Sequence, residues 1–268
     1  MRQGMLHKLP LSLNFSSELL SGRVMYFDRK LIFAVLMALC APGHGQNPNL
    51  EPDKPAATAS LPTITFTFEL PQAEPEHFSI SVGSAGRAAY QSTAPGRPDS
   101  PPGEPFMVKF YVSRQSSTRI FDLAKSAHYF QGDFAYTKSR IANLGAKTLA
   151  FTDGSRHFET SYNWSENPAI QELTRIFLGI SNTLEAGHRL AYLKRFDRLG
   201  LDAELKRMEE MAKENKLEEL QAIAPVLREI SSDPAIMKLA RERAQRLLQR
   251  ANGSSAAGSG EARLPPSP

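Results

Sequence analysis

The chain has 268 residues, of which 22% are charged, a formal net charge of +4 and one cysteine, Cys40. That length supports one sizeable hydrophobic core or two small ones. A lone cysteine excludes an intramolecular disulfide, a CxxC redox pair and a multi-thiolate zinc site.

Residues 1–45 read as a leader. The apolar run 31–40 (LIFAVLMALC) follows Arg29-Lys30 and is closed by small residues up to Gly45. Such a run is too short to span a bilayer permanently, and a basic flank, a short apolar core and a small-residue exit make a secretory signal peptide. Gly43 and Gly45 occupy the −3 and −1 positions for cleavage before Gln46, and Met25 is the expected true start. Leu39 directly before Cys40 departs from the small residue of a lipobox, which favours soluble export over lipidation. The leader holds five basic residues (Arg2, Lys8, Arg23, Arg29, Lys30) against Glu18 and Asp28, so it carries +3 of the +4 and leaves +1 for residues 46–268. The net charge is therefore no sign of a nucleic-acid partner. No later stretch has the roughly 20 apolar residues of a membrane span.

Residues 46–60 are proline-rich and poor in large apolar side chains, the composition of a disordered linker. A β-rich α+β domain is expected over 61–165. Ile64, Phe66, Phe68 and Leu70 alternate with polar residues, and Phe78, Ile80 and Val82 repeat the pattern. Gly83-Ser-Ala-Gly86 turns the chain into a strand with Ala88 and Tyr90 on one face, a hairpin with a four-residue loop. Residues 92–105 hold five prolines and read as a mobile excursion. Phe106, Val108, Phe110 and Val112 restore alternation. Ser116-Ser117 then cap a helix with Ile120, Phe121, Ala124 and Ala127 on one side. In 147–162, Asp153-Gly154 predicts a type I′ turn, which places Leu149 opposite Phe158, Phe151 opposite Arg156, Thr148 with Glu159 and Ala150 with His157.

A helical region is expected over 167–251. Asn167 caps and Pro168 starts a helix through Leu173, Ile176, Phe177, Ile180 and Leu184, ending near Gly200. Phe177, Tyr192 and Phe196 make this helix the bridge to the sheet. A second helix carries Leu201, Leu205, Met208 and Ala212 and breaks at Asn215. A third carries Leu217, Leu220, Ile223, Leu227 and Ile230, kinked by Pro225. Asp233-Pro234 opens a fourth with the stripe Met237, Ala240, Ala244, Leu247 and Ala251. Residues 252–268 read as a Gly/Ser/Pro tail.

The pattern FSISVGSAGRAAY, a proline-rich gap, a strand, TRIFDLAKSAHYF and a paired hairpin resembles uncharacterised exported bacterial α+β domains of unknown function, over residues 63–164. In that resemblance Gly86 is the turn glycine, and Tyr90, Leu123 and Phe130 are the recurring apolar positions. Ser84-Ala85 stand where those domains carry a turn aspartate. The resemblance implies a fold and brings no activity with it. The run DPAIMKLARERAQRLL is also similar to the second helix of a HEAT-type repeat. A solenoid needs about three copies and one is present, so an ordinary helical pair is the expectation.

No catalytic, cofactor-binding or metal-ligating residue is assigned. His77, His128, His157 and His188 include no i, i+4 pair, and no HExxH occurs. His157 and Glu159 share a hairpin face and lack a third ligand. Gly145-Ala-Lys147-Thr148 echoes the end of a phosphate loop, but the preceding glycine is missing and a strand follows. Gly83–Gly86 lacks the GxSxG spacing of a nucleophile elbow. Glu209, Glu210, Glu214, Glu218 and Glu219, interleaved with Lys206, Arg207, Lys213 and Lys216, read as a solvated helix surface with the pairs Glu209–Lys213 and Lys206–Glu210. The last helix is basic (Lys238, Arg241, Arg243, Arg246, Arg250), and packing on the preceding helix is expected ahead of a membrane-surface contact. Tyr162 and Trp164, at the hairpin exit, are candidates for an aromatic contact, with burial the more common fate.

The expectation is a small antiparallel sheet with one packed helix, then helical hairpins, in an exported, non-enzymatic protein that contacts another envelope protein. The alternatives are an enzyme whose site is assembled from distant residues, and an envelope-surface binder using the last helix. If the leader reading holds, N-terminal sequencing of the exported protein should start at or near Gln46. Retention of residues 31–40 would exclude it.

Overall fold

The computed structural model describes residues 61–93 and 105–257. The leader expected over 1–45, the linker expected over 46–60, the proline-rich residues 94–104 and residues 258–268 of the expected tail lie outside these residues. The described chain is an α+β protein built on one six-stranded antiparallel sheet.

Its strands are β1 (Thr63–Glu69), β2 (His77–Gly83), β3 (Arg87–Thr93), β4 (Phe106–Tyr111), β5 (Ala146–Asp153) and β6 (Arg156–Tyr162), in the order β4-β3-β2-β1-β5-β6. Alternation decides the faces. Ile64, Phe66 and Phe68 of β1 and Phe78, Ile80 and Val82 of β2 are buried, while the intervening serines and threonines point the other way. The β2–β3 hairpin closes through Gly86, whose φ of +78° suits a residue without Cβ. β3 runs two residues further than the composition suggested. Ser92 and Thr93 belong to the strand, and Ser92 pairs with Phe106 of β4.

The β5–β6 hairpin differs in register from the sequence expectation. Phe151 lies opposite Phe158, Leu149 opposite Thr160, and Asp153 opposite Arg156. The loop residues are thus Gly154-Ser155, and within the turn only Gly154 has positive φ, at +58°. Glycine at the first central position marks a type II′ turn, not type I′. Moving the turn by one residue slides the pairing by two, an even step that leaves each side chain on its expected face.

Helix α1 (Arg114–Ser126) crosses from β4 to β5. Ser113, not Ser116 or Ser117, is its N-cap, its side chain accepting from the Ser116 N–H. Ser117 is buried inside the helix, and Phe121 is only half-buried. The helix ends in the turn His128–Phe130, where all three residues have positive φ. Left-handed backbone costs about 1–2 kcal/mol per ordinary residue. Phe130 is fully buried there, and the Tyr129 ring packs 4.6 Å from that of Phe151.

Four helices follow: α2 (Pro168–Phe196), α3 (Gly200–Lys213), α4 (Ala224–Ser232) and α5 (Lys238–Ala257). Asn167 caps α2 by accepting from the Ala169 and Ile170 N–H groups. The third helix differs from expectation: residues 216–219 are not helical, a 3-10 turn (Leu220–Ile223) follows, and Pro225 sits in the first turn of α4. Proline lacks the N–H that a first turn leaves unpaired, so it starts this helix instead of bending it. Asp233 and Pro234 form a turn ahead of α5, and Ile236 takes the buried position expected for Met237, which is exposed. α5 also continues past Asn252, where a tail was expected. No helix among the described residues is long and apolar enough to cross a membrane.

The turn assignment is testable. Gly154→Val should lower stability by about 1–3 kcal/mol, the range for a strained left-handed position. Asp153→Val should cost much less, because Asp153 is not left-handed. Urea denaturation of both variants checks this, and equal losses would restore the type I′ turn.

Candidate functional site

Where β6 leaves the sheet and α2 begins, the surface opens into a cleft of about 460 Å³, lined chiefly by apolar atoms. That volume falls within the usual range for ligand sites. Leu144 and Trp164 stand at its rim, 49% and 36% exposed. Tyr162 and Lys147 come from the sheet, and Thr174, Arg175 and Leu178 from α2. The half-exposed Trp164 ring meets the edge of Tyr136 at 5.0 Å.

Lys147 is the unusual member. It occupies an inward-facing strand position and is only 6% exposed. Its ammonium donates to the carbonyls of Leu144 (2.8 Å), Gly145 (2.9 Å) and Asn163 (2.8 Å), which uses all three N–H bonds. The Phe68 ring lies 5.5 Å from Nζ. Burial pushes its pKa down. The carbonyls bind the charged form, so Lys147 holds the 144–145 and 163 segments together and is not presented as a nucleophile.

The other polar groups of the cleft are committed in the same way. Thr174 Oγ1 donates to the Ile170 carbonyl at 2.7 Å, so the 2.6 Å contact with Tyr162 has the phenol as donor. Arg175 binds Glu172 through two bonds of 2.9 Å and Glu218 through one of 2.7 Å. Gln171 donates to the Ser165 carbonyl at 2.8 Å. A ligand here therefore meets apolar surface.

A second polar cluster joins β3 to α2. The buried Tyr90 phenol donates to Glu185 Oε1 (2.7 Å) and lies 3.0 Å from Ser181 Oγ, while Ser92 donates to the same Glu185 oxygen at 2.6 Å. Burial, then the Glu185 charge, push the Tyr90 pKa far up. One carboxylate oxygen satisfied by two hydroxyls makes a tether. His188, one turn beyond, stacks on Phe106 at 4.1 Å.

The candidates singled out from sequence are dispersed. His157 Nε2 is 3.5 Å from Glu159 and both are exposed; among the described residues no group of three metal-ligating side chains occurs. Lys147 of the phosphate-loop echo points into the core, and Gly83–Gly86 is a turn. The acidic run is not simply solvated. Glu209 receives Arg243 (2.5 Å) and Arg246 (2.7 Å) from α5, and Arg243 also binds Asp202 at 2.8 Å. Burial raises the Glu209 carboxyl, but Arg246 and Arg243 outweigh it and hold its pKa below the ordinary value. Glu219, another member of that run, is buried and accepts from the N–H of Ser113 at the start of α1. Of the aromatics, Tyr162 is buried, whereas Tyr192 and Phe196 are exposed and only Phe177 bridges to the sheet, stacked on Phe66 at 5.1 Å.

The described chain is thus an α+β protein with an apolar cleft at a strand–helix junction. No family model matches the chain, and no curated protein is similar to it.

Burial is the main reason that the Tyr162 pKa is pushed up to about 12. A raised folded-state pKa stabilises the fold fully below the unfolded phenol value of about 10, and that contribution is lost as pH rises through the folded value. Tyr162→Phe should lower stability at neutral pH by about 0.5–1.5 kcal/mol, one hydrogen bond. It should also flatten the alkaline decline between pH about 10 and about 12. Urea melts across that window check it; an unchanged decline would exclude the assignment.

Proposed function

We propose that this is an exported, non-enzymatic interaction module of the periplasm or cell envelope, and that it holds a partner protein in the cleft between β6 and α2. One observation carries the reading. The cleft has an apolar, exposed rim at Leu144 and Trp164, while its polar groups are spent on internal hydrogen bonds. Aromatic and aliphatic anchors in a small desolvated pocket are the usual source of binding energy at protein interfaces. Reactive sites need groups left available to the substrate, and Lys147 and Tyr162 are not. The leader-like run 29–45 supports the location.

A photo-crosslinking amino acid at position 144, used with envelope extracts, tests it. The expected result is a discrete protein adduct, lost when Trp164→Asp is added and absent when the probe sits at exposed position 206 instead. The absence of a discrete adduct at 144, or the same adduct from both positions, would remove the cleft from consideration.

A further inference from the structure

The last two turns of α2 carry a patch that the fold does not use. Tyr192 and Phe196, one turn apart, place their rings 4.9 Å from each other and are 61% and 63% exposed; Leu199, just beyond, is 79% exposed. Earlier in the same helix the large apolar residues are buried or half-buried, so this end departs from the pattern. The Arg195 guanidinium lies 5.0 Å from the centre of the Phe196 ring, and Arg198 is exposed beside it. Neighbouring cations are already paired: Arg189 with Glu204, and Lys194 with Glu229. Asp197, the local acid, is turned towards the Gly200 N–H at 3.3 Å.

We infer that this corner is a contact site for an anionic lipid surface. Aromatic rings settle at the headgroup level of a bilayer because one part of the group is apolar and the rest tolerates water. Guanidinium groups beside them meet lipid phosphates with bidentate hydrogen bonds. The charge pattern decides between occupants. Two outward arginines flanking the rings complement phosphate, whereas a second copy of this chain would bring the same cations against each other. α5, the more basic helix in sequence, is the poorer candidate, since Arg243 and Arg246 are bound to Asp202 and Glu209 of α3. The contact is peripheral and separate from the cleft.

The test places the chain's sole indole in the patch, as Phe196→Trp in a Trp164→Phe background, and reads its fluorescence. With equimolar phosphatidylglycerol–phosphatidylcholine vesicles the emission should move to the blue. Phosphatidylcholine alone should leave it unmoved. Salt at 1 M, where the Debye length is about 3 Å, should reverse the shift. Adding Arg195→Glu and Arg198→Glu should abolish it with an unchanged circular dichroism spectrum. No shift, an equal shift with phosphatidylcholine alone, or a shift that survives the two charge reversals would overturn the inference. A shift produced by raising protein concentration without lipid would assign the patch to self-association instead. A failed cross-link at position 144 would leave this result standing, so the two readings fall separately.

Discussion

Helix α2 has to be apolar on more than one side, and the rest of the structure follows from that. Along one stripe Phe177 stacks on Phe66, Ser181 and Glu185 meet Tyr90, and His188 covers Phe106, so this stripe takes up the inner face of the sheet. Along another, Arg175 binds Glu218, Asn182 donates to the Lys216 carbonyl, and Gly187 lies against Ile223. A Cβ added at Gly187 would come within 2.3 Å of Ile223 Cγ2, so the 3-10 turn can sit this close only over glycine. A surface helix presents one apolar stripe; a helix with two is buried between layers. The sheet and the later helices accordingly share one continuous hydrophobic core.

A buried carboxylate fastens the two ends of that arrangement. Glu219 stands just before the 3-10 turn with φ at +56°, and its oxygens accept from the Ser113 N–H at 2.7 Å, the Ser113 hydroxyl at 3.0 Å, and Ser116 and Gln221. Burying a charge is costly unless it is hydrogen-bonded, and a helix N-terminus supplies both N–H donors and a favourable dipole. The N-cap residue of α1, Ser113, is therefore itself held by a residue 106 positions further along the chain. Capping interactions contribute about 1 kcal/mol. This one also sets where the helical segment sits on the sheet, because α1 and the 3-10 turn cannot separate without exposing or stranding the charge. The Arg243–Asp202–Glu209 cluster does the same between α3 and α5 at lower cost, being partly exposed.

What was legible in the sequence was local. Alternation in 63–69 and 77–83, the Asn167-Pro168 start of α2 and the breaks near Gly200 and Asn215 are decided by side-chain period and backbone chemistry, and each stands as read. The rest depends on backbone detail and on distant partners. A type I′ turn at Asp153-Gly154 needs positive φ at both residues, whereas the backbone places only glycine in the left-handed region. The breadth of α2 burial hid which of its aromatics would be covered: Phe177 is, Tyr192 and Phe196 are not. The acidic run looked solvated because its partners, Arg243 and Arg246, are more than 30 positions away. One clue to the site was present. Lys147 shares parity with Leu149 and Phe151, so the expected hairpin already put a lysine on the apolar face.

That inward lysine explains why the cleft is apolar despite the polar residues that line it. A buried ammonium is tolerable only if its three donors are satisfied, and the nearest acceptors are backbone carbonyls at the start of β5 and just past the end of β6. Drawing those carbonyls inward leaves the side chains of the same segments, Leu144 and Trp164, directed to solvent beside Leu178 of α2. The structure thus exchanges a polar surface loop for a polar core and an apolar rim. The same accounting holds at the end of α2, where Lys194 turns to Glu229 and the aromatic pair is left outside. In both places a lysine is spent on an internal contact and apolar side chains face outward; at the end of α2, Arg195 and Arg198 stay exposed beside them.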